Sequence, residues 1–317
     1  RMVDAAGVLV DTSSRPRLHK YVVDNVLART GWPVQIFHGL DNEAGLRRAF
    51  AGDARIHYTP LSTNTMTWYR LSSLMLMAAF WRACMGHHVL VFQPDTVMCA
   101  TPTLSLEPFL AYDFVGAPMA GDWWGTTDHP TGWTVGCGGF SLRRRSKMLQ
   151  MTRSDQCIAP AGDKLEDQQL SAGWTHIRAR CESAGIRVTT PPRHLAAMFA
   201  VEYDLHMDWW PGENASYPRG CRAHYYTGRA RAPPRERRAQ APDDSVACRN
   251  EAYTPIACHK CWNWNPRTWA HMRAHCPEVV ELRRLQRVYR GEGGFRERNR
   301  ERAVVGPIDV SRAGSDR

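Results

Sequence analysis

Val89-Leu90-Val91-Phe92-Gln93-Pro94-Asp95-Thr96 decides how the rest of the chain is read. An uninterrupted apolar run stops at a lone carboxylate, with Pro94 just before it. A short apolar run bounded by turn residues reads as a buried strand. Such a strand presents its last residues outside its carboxyl end, where open α/β sheets gather their ligands. Asp is also a common turn former at the close of a core strand, and the stretch alone leaves both readings open. The segment before it, Thr67 to Cys84, is rich in Leu, Met, Ala and Trp and reads as a helix.

Strand and helix alternate on the N-terminal side. Gly7 to Val10 is a short apolar strand ending at Asp11. Leu18, Val22, Val26 and Leu27 give Arg17 to Arg29 a helical period. Gly31-Trp32-Pro33 breaks that helix, and Val34 to Phe37 is the next strand. A short helix near Glu43 to Phe50 and a strand at Arg55 to Tyr58 follow. This order predicts a parallel, doubly wound α/β sheet. Right-handed crossovers place the strand ends on one side, so Asp11, the loop after Phe37 and Asp95 open onto one crevice.

Beyond Asp95 the pattern changes. Phe109 to Pro118 reads FLAYDFVGAP, with a strand at Phe114-Val115. Gly121 to Gly132 is a Gly-, Trp- and Asp-rich loop over the crevice. Gly136, Gly138 and Gly139 in TVGCGGFSL imply that something approaches the backbone closely, or that the strand bulges there. The run has neither the ending of a phosphate-binding Walker loop nor the spacing of a dinucleotide fingerprint. Arg143-Arg144-Arg145 opens a helix to about Thr152, its arginines forming a solvated face. Glu166 and Asp167 begin another helix, where carboxylates suit the positive end of the dipole. Asp167 is also placed to face the crevice as a general base. Phe199 to Glu202 is a strand ending in a carboxylate, Met207 to Asn250 is irregular, and a helix runs from Pro266 to about His275.

The chain has 317 residues, 43% of them hydrophobic and 23% charged, as in ordinary globular proteins. The net charge of +10 raises nucleic acid, anionic membranes and phosphate-bearing ligands as partners. Much of that charge lies in Arg229 to Arg238 and in the tail from about Arg290, where few core-forming residues accompany it. No nucleic-acid-binding motif goes with these segments, which argues against nucleic acid as partner. No apolar stretch approaches the length of a membrane span. The opening Arg1-Met2, directly before a strand, suggests a fragment whose targeting segment lies upstream. Twelve Trp favour ring-bearing ligands, with Trp123, Trp124 and Trp262 as candidates for stacking on a sugar. Cys84 and Cys99 read as small buried hydrophobes. Cys258-His259-Lys260-Cys261 has zinc-knuckle spacing at one end only, with Cys248 and Cys276 as the possible second pair. Asn214-Ala215-Ser216 is a glycosylation sequon.

Taken in order, FQPDT, FVGAP, GCGGFSLR, EDQQL and HKCW resemble the phrases of an uncharacterised glycosyltransferase-like domain family of the GT-A fold. The preceding GWPVQIFHG and the CPE at Cys276-Pro277-Glu278 also fit, so the resemblance spans roughly Val8 to Leu285. Gln93 stands for the first acidic residue of an Asp-x-Asp motif, Cys137 for the Asn of a GNGG phrase, and Cys261 for the Pro of HKPW. The resemblance implies a GT-A fold, with a central mixed, mostly parallel sheet flanked by helices. It implies one domain over residues 1–285, an Arg- and Pro-rich insertion at about 207–250, and a basic tail at 286–317.

It further implies transfer of a sugar from a nucleotide-diphosphate donor to a hydroxyl of an unknown glycan, protein or lipid. A UDP-sugar is the favoured donor, and a secretory-pathway or Golgi location is favoured over the cytoplasm. Asp95 and His259 would hold Mn2+ or Mg2+. Gln93, Gly136, Gly138, Gly139, Lys260, Trp262 and Asp11 would contact the donor, and Asp167, with Glu166, would carry the catalysis. The alternative is a binding module that holds a nucleotide or glycan on a degenerate GT-A fold without turnover.

Overall fold

The strands that read as continuous apolar runs are buried on both faces, and this builds the core. The computed structural model describes residues 2–120, 133–158, 165–171, 175–202, 254–260 and 266–291. β1 (Val3–Val10) is buried over its last five residues and β2 (Val34–His38) throughout. β3 (Ile56–Pro60) lies outside β2, and β4 (Gly86–Phe92) lies on the other side of β1. These four strands are mutually parallel. Their connections are α1 (Pro16–Thr30), α2 (Glu43–Ala49), α3 (Trp68–Met75) and α4 (Ala78–Ala83). Pro16 suits the first turn of α1 because its missing N–H is not needed there, and Gly31 ends the helix in the left-handed conformation at φ 67°.

The single helix expected from Thr67 to Cys84 is two helices. The chain extends at Met77, and the buried Trp81 indole donates to Met75 O at 2.7 Å across the break. A straight helix would not let that indole reach a free carbonyl of the preceding turn.

After β4 come the short β5 (Thr96–Met98), β6 (Phe114–Gly116), the ribbon strands β7 (Pro118–Ala120) and β8 (Trp133–Val135), and β9 (Phe140–Arg144). β9 inserts antiparallel between β4 and β6, giving the order β3-β2-β1-β4-β9-β6. The sheet is therefore mixed and mostly parallel, as expected. Because β9 is reversed, its start lies on the same edge as the carboxyl ends of β1 and β4.

α5 (Arg145–Met151), α6 (Glu166–Leu170), α7 (Thr175–Ser183) and α8 (Arg193–Phe199) follow, then β10 (Ala200–Glu202) and β11 (Ala257–His259). α9 (Pro266–His275) and α10 (Glu278–Gly291) complete the described chain. The boundary expected at residue 286 falls inside α10, where Gln286 is buried and donates to Pro94 O at 2.9 Å. Residues beyond 291, the insertion with its sequon, and the 121–132 loop lie outside the described residues.

Leu9, Leu90 and Phe92 face α1, α9 and α10, while Val8, Val10, Val89 and Val91 face α3, α4 and α5. Disulfides join Cys99 to Cys276 and Cys157 to Cys181. Cys99 is thus a cross-link rather than a small hydrophobe. Cys258 is also disulfide-bonded. With Cys258 and Cys276 both oxidised, the zinc knuckle is excluded.

Candidate functional site

Where β4 ends, the chain leaves one sheet for another. Pro94 has no N–H to continue the ladder. The Gln93 N–H still donates to Gly139 O at 2.9 Å, and Thr96 then starts β5. β5 pairs with β11, setting Thr96 opposite His259, and β11 pairs with β10, setting His259 opposite Glu202. Two short registers thereby bring Gln93, Asp95, His259 and Glu202 together from three distant segments.

His259 is the hub and is 2% exposed. Its Nε2 lies 3.1 Å from Gln93 Oε1 and 3.2 Å from Asp95 Oδ1. Its Nδ1 lies 3.1 Å from Glu202 Oε1 and 3.5 Å from Cys137 Sγ. Burial and the Lys260 charge oppose a protonated ring, but Glu202 and Asp95 outweigh them and raise its pKa. Lys260 Nζ stands 3.6 Å from Asp95 Oδ2. Lys260 holds φ at 53°, a left-handed conformation unusual outside glycine and common at functional sites. Burial alone would raise the Asp95 carboxyl, yet Lys260 and His259 hold it well below the usual carboxylate range. Asp95 Oδ1 is buried and lacks a hydrogen bond of good geometry, although the side chain as a whole remains 23% exposed. An ionised carboxylate on a partly exposed side chain suits a hard divalent ion such as Mn2+ or Mg2+.

The glycines answer to side chains of the protein itself. A Cβ on Gly139 would overlap the His259 ring, and one on Gly138 would overlap Glu166 Oε1. The expectation that a sugar lies against bare backbone at these two positions is corrected accordingly, because that space is filled. Gly136 donates its N–H to Ala117 O at 3.2 Å.

Glu166 and Asp167 open α6, where Gln168 Oε1 accepts from Leu165 N at 3.1 Å. Glu166 pairs with Arg143 at 3.0 Å. Arg143 is fully buried, its guanidinium 5.0 Å from the Phe114 ring centroid. The solvated arginine face expected at 143–145 is therefore wrong for Arg143, which lies within the core strand β9. Glu166 is occupied by this pair and by Ser72 Oγ at 3.5 Å, so its place beside Asp167 is structural support. Asp167 differs. Its Oδ1 is buried without a hydrogen bond, although water reaches part of the side chain. Burial, then the Glu166 charge, push its carboxyl up to about 7, against the lowering pull of Arg143. Its neighbour Glu166 packs on Gly138, next to Gly139 on which the His259 ring packs.

Asp11 lies at the same edge but uses its oxygens within the chain. It accepts from Ser13 N at 2.6 Å and Arg15 Nη2 at 2.8 Å, and His19 Nε2 stands 3.1 Å away. These partners outweigh burial and keep it ionised. Trp262, Trp123 and Trp124 lie outside the described residues. Arg143, Glu202 and Cys137 were not picked out as site residues from sequence. The alternation of Phe140 and Leu142 with Ser141 and Arg143 was the available signal for Arg143.

No curated protein matches the sequence. Core-mannan synthase A of Aspergillus fumigatus, solved in a Mn/GDP form, is among the similar solved structures. It shows 6% identity and a TM-score of 0.34, over 58% of this chain and 65% of that chain. Likeness of that extent carries no functional weight. The family described as "Protein of unknown function (DUF5672)" matches residues 55–221, which contain Asp95, the glycines, Glu166-Asp167 and Glu202. Since that match covers more than half of the sequence, the chain belongs to the DUF5672 family.

Proposed function

We propose that this chain is a glycosyltransferase of the GT-A type, moving a sugar from a nucleotide-diphosphate donor, UDP-sugar by preference, to a hydroxyl acceptor. The observation that carries the reading is the convergence of two carboxylates on the glycine loop: Asp95 beside Lys260 and His259, whose ring packs on Gly139, and Asp167, whose neighbour Glu166 packs on Gly138. Asp95 is held ionised while burial pushes Asp167 up. Carboxylates driven apart in this way divide the labour of an active site.

Asp95, with the Gln93 amide oxygen, would hold Mn2+ or Mg2+ together with the donor's phosphates and water. A bound divalent ion supplies neutralisation of the charge that develops on the departing diphosphate. Lys260 adds a fixed positive charge at the same point. Asp167 accepts the proton of the acceptor hydroxyl as that oxygen bonds to the anomeric carbon. The bond from that carbon to the diphosphate oxygen breaks, and the nucleoside diphosphate leaves. Attack of this kind inverts the anomeric centre. The disulfides support a secretory compartment, where such bonds persist.

Calorimetry with UDP and GDP, with and without Mn2+, tests the donor site on the wild type and on Asp95→Asn. Metal-dependent binding that vanishes in Asp95→Asn is expected. No nucleotide binding under any metal condition refutes the reading. Intact Mn-dependent binding with no transfer to any acceptor, in wild type and Asp167→Asn alike, indicates a non-catalytic binding module instead.

A further inference from the structure

His259 has two sides, and only the outer one carries a resident lysine. At Nε2, Asp95 is neutralised by Lys260 and reaches solvent. At Nδ1, the Cys137 thiol and the Glu202 carboxylate are sealed from water, at 2% and 6% exposure. Glu202 Oε2 has no hydrogen-bond partner. Cys137 is a free thiol in a chain whose Cys99, Cys157, Cys181, Cys258 and Cys276 are all oxidised. A buried carboxylate with an unsatisfied oxygen is costly unless a cation compensates it. Thiolate, imidazole and carboxylate form a borderline-soft donor set, which selects zinc over Mg2+ or Mn2+.

We propose that Cys137 Sγ, His259 Nδ1 and Glu202 form a buried zinc site, separate from the hard-ion site on Asp95. The three donor atoms lie within 4.8 Å of one another. Tetrahedral zinc with ordinary bond lengths sets nitrogen and sulfur about 3.6 Å apart and nitrogen and oxygen about 3.4 Å apart. The observed spacings are 3.5 Å and 3.1 Å. A zinc-bound imidazole donates its other N–H to an oxygen that orients the ring. Here Gln93 Oε1 and Asp95 Oδ1 occupy that position, at 3.1 Å and 3.2 Å. The assignment therefore withdraws His259 from its expected role as a co-ligand of Asp95. It makes the ring a tether between the glycine loop, β10 and the QPD turn.

The site is independent of sugar transfer, and its test uses the metal alone. The purified full chain is dialysed against metal-free buffer and its metal content measured by mass spectrometry. It is then loaded with Co2+ and scanned for a thiolate-to-cobalt charge-transfer band. Stoichiometric zinc and the band are expected in the wild type. Both should be lost in Cys137→Ser, and zinc binding should weaken in Glu202→Gln. Absence of zinc and of the cobalt band in the wild type overturns the proposal, even if Cys137→Ser proves insoluble. Zinc retained by a folded Cys137→Ser also overturns it. Failure of nucleotide binding with zinc present bears on the transferase reading alone.

Discussion

Asp167→Asn should stabilise the protein at neutral and alkaline pH while abolishing sugar transfer. Asn keeps the shape of the side chain and removes the charge that burial opposes. Moving a carboxyl from 3.8 to about 7 corresponds to about 4 kcal/mol at about 1.4 kcal/mol per pH unit. Water reaching the exposed part of Asp167 cuts this to about 2 kcal/mol.

The sign follows from proton counting. Below pH 3.8 the acid is protonated in folded and unfolded chains, and the substitution changes nothing through charge. Between there and about 7 the unfolded chain has lost the proton while the folded chain keeps it, so wild-type stability falls as pH rises. Above about 7 the loss is complete. Urea unfolding with the disulfides intact, at pH steps from about 4 to 8.5, reads the difference directly. The Asn variant should match the wild type at the acid end and gain about 2 kcal/mol at the alkaline end. Two stability curves that stay parallel across the range would refute the claim that Asp167 is a charge held against its will.

Arg143→Met leaves Glu166 buried without its partner and should cost about 3–5 kcal/mol in denaturant unfolding. The double variant with Glu166→Leu should recover most of that loss, and equal destabilisation of single and double variants would show that the pair is not compensated as described. Gly139→Ala drives a methyl into the His259 ring and should cost about 1–3 kcal/mol along with Mn-dependent nucleotide binding. Gly45→Ala, with open space around it in α2, is the control and should be neutral or slightly stabilising by thermal melting. Replacing Cys99 and Cys276 together by Ala opens a link spanning 177 residues and should lower stability by about 2–4 kcal/mol, unless the unfolded chain stays compact in calorimetry.

The parallel half of the sheet was legible because β1, β2 and β4 bury both faces, and burial on both faces forces continuous apolar runs. Asp11 and Asp95 were legible for the same reason, as polar residues that interrupt those runs. Arg143 was not legible. Three arginines in a row look solvated, and its burial depends on Glu166, which is 23 residues away. Spacing along the chain carries no record of that pairing. The β10-β11-β5 sheet was hidden too, since strands of three residues have no measurable period. Glu202 was readable as a strand end, but only the register opposite His259 gives it a partner. Gly136, Gly138 and Gly139 were read as close-approach or bulge positions, and at Gly138 and Gly139 it is close approach. What approaches Gly138 and Gly139 came only from the fold.

The QPD turn shows why these misses fall around one point. It joins two sheets, so neither sheet alone determines its shape, and its hold is assembled from distant segments. Gly139 O accepts from Gln93 N on one side, and Gln286 of α10 donates to Pro94 O on the other. Lys260 N donates to Asp95 O between them. The Cys99–Cys276 disulfide ties β5 to the residue next but one before α10, so the two elements that fix the turn cannot separate easily. Pre-positioning of this kind holds an ionised carboxylate at a sheet edge between His259 and Lys260. The structure therefore invests long-range contacts in the placement of Asp95, where a turn that merely closed a core strand would need only local ones.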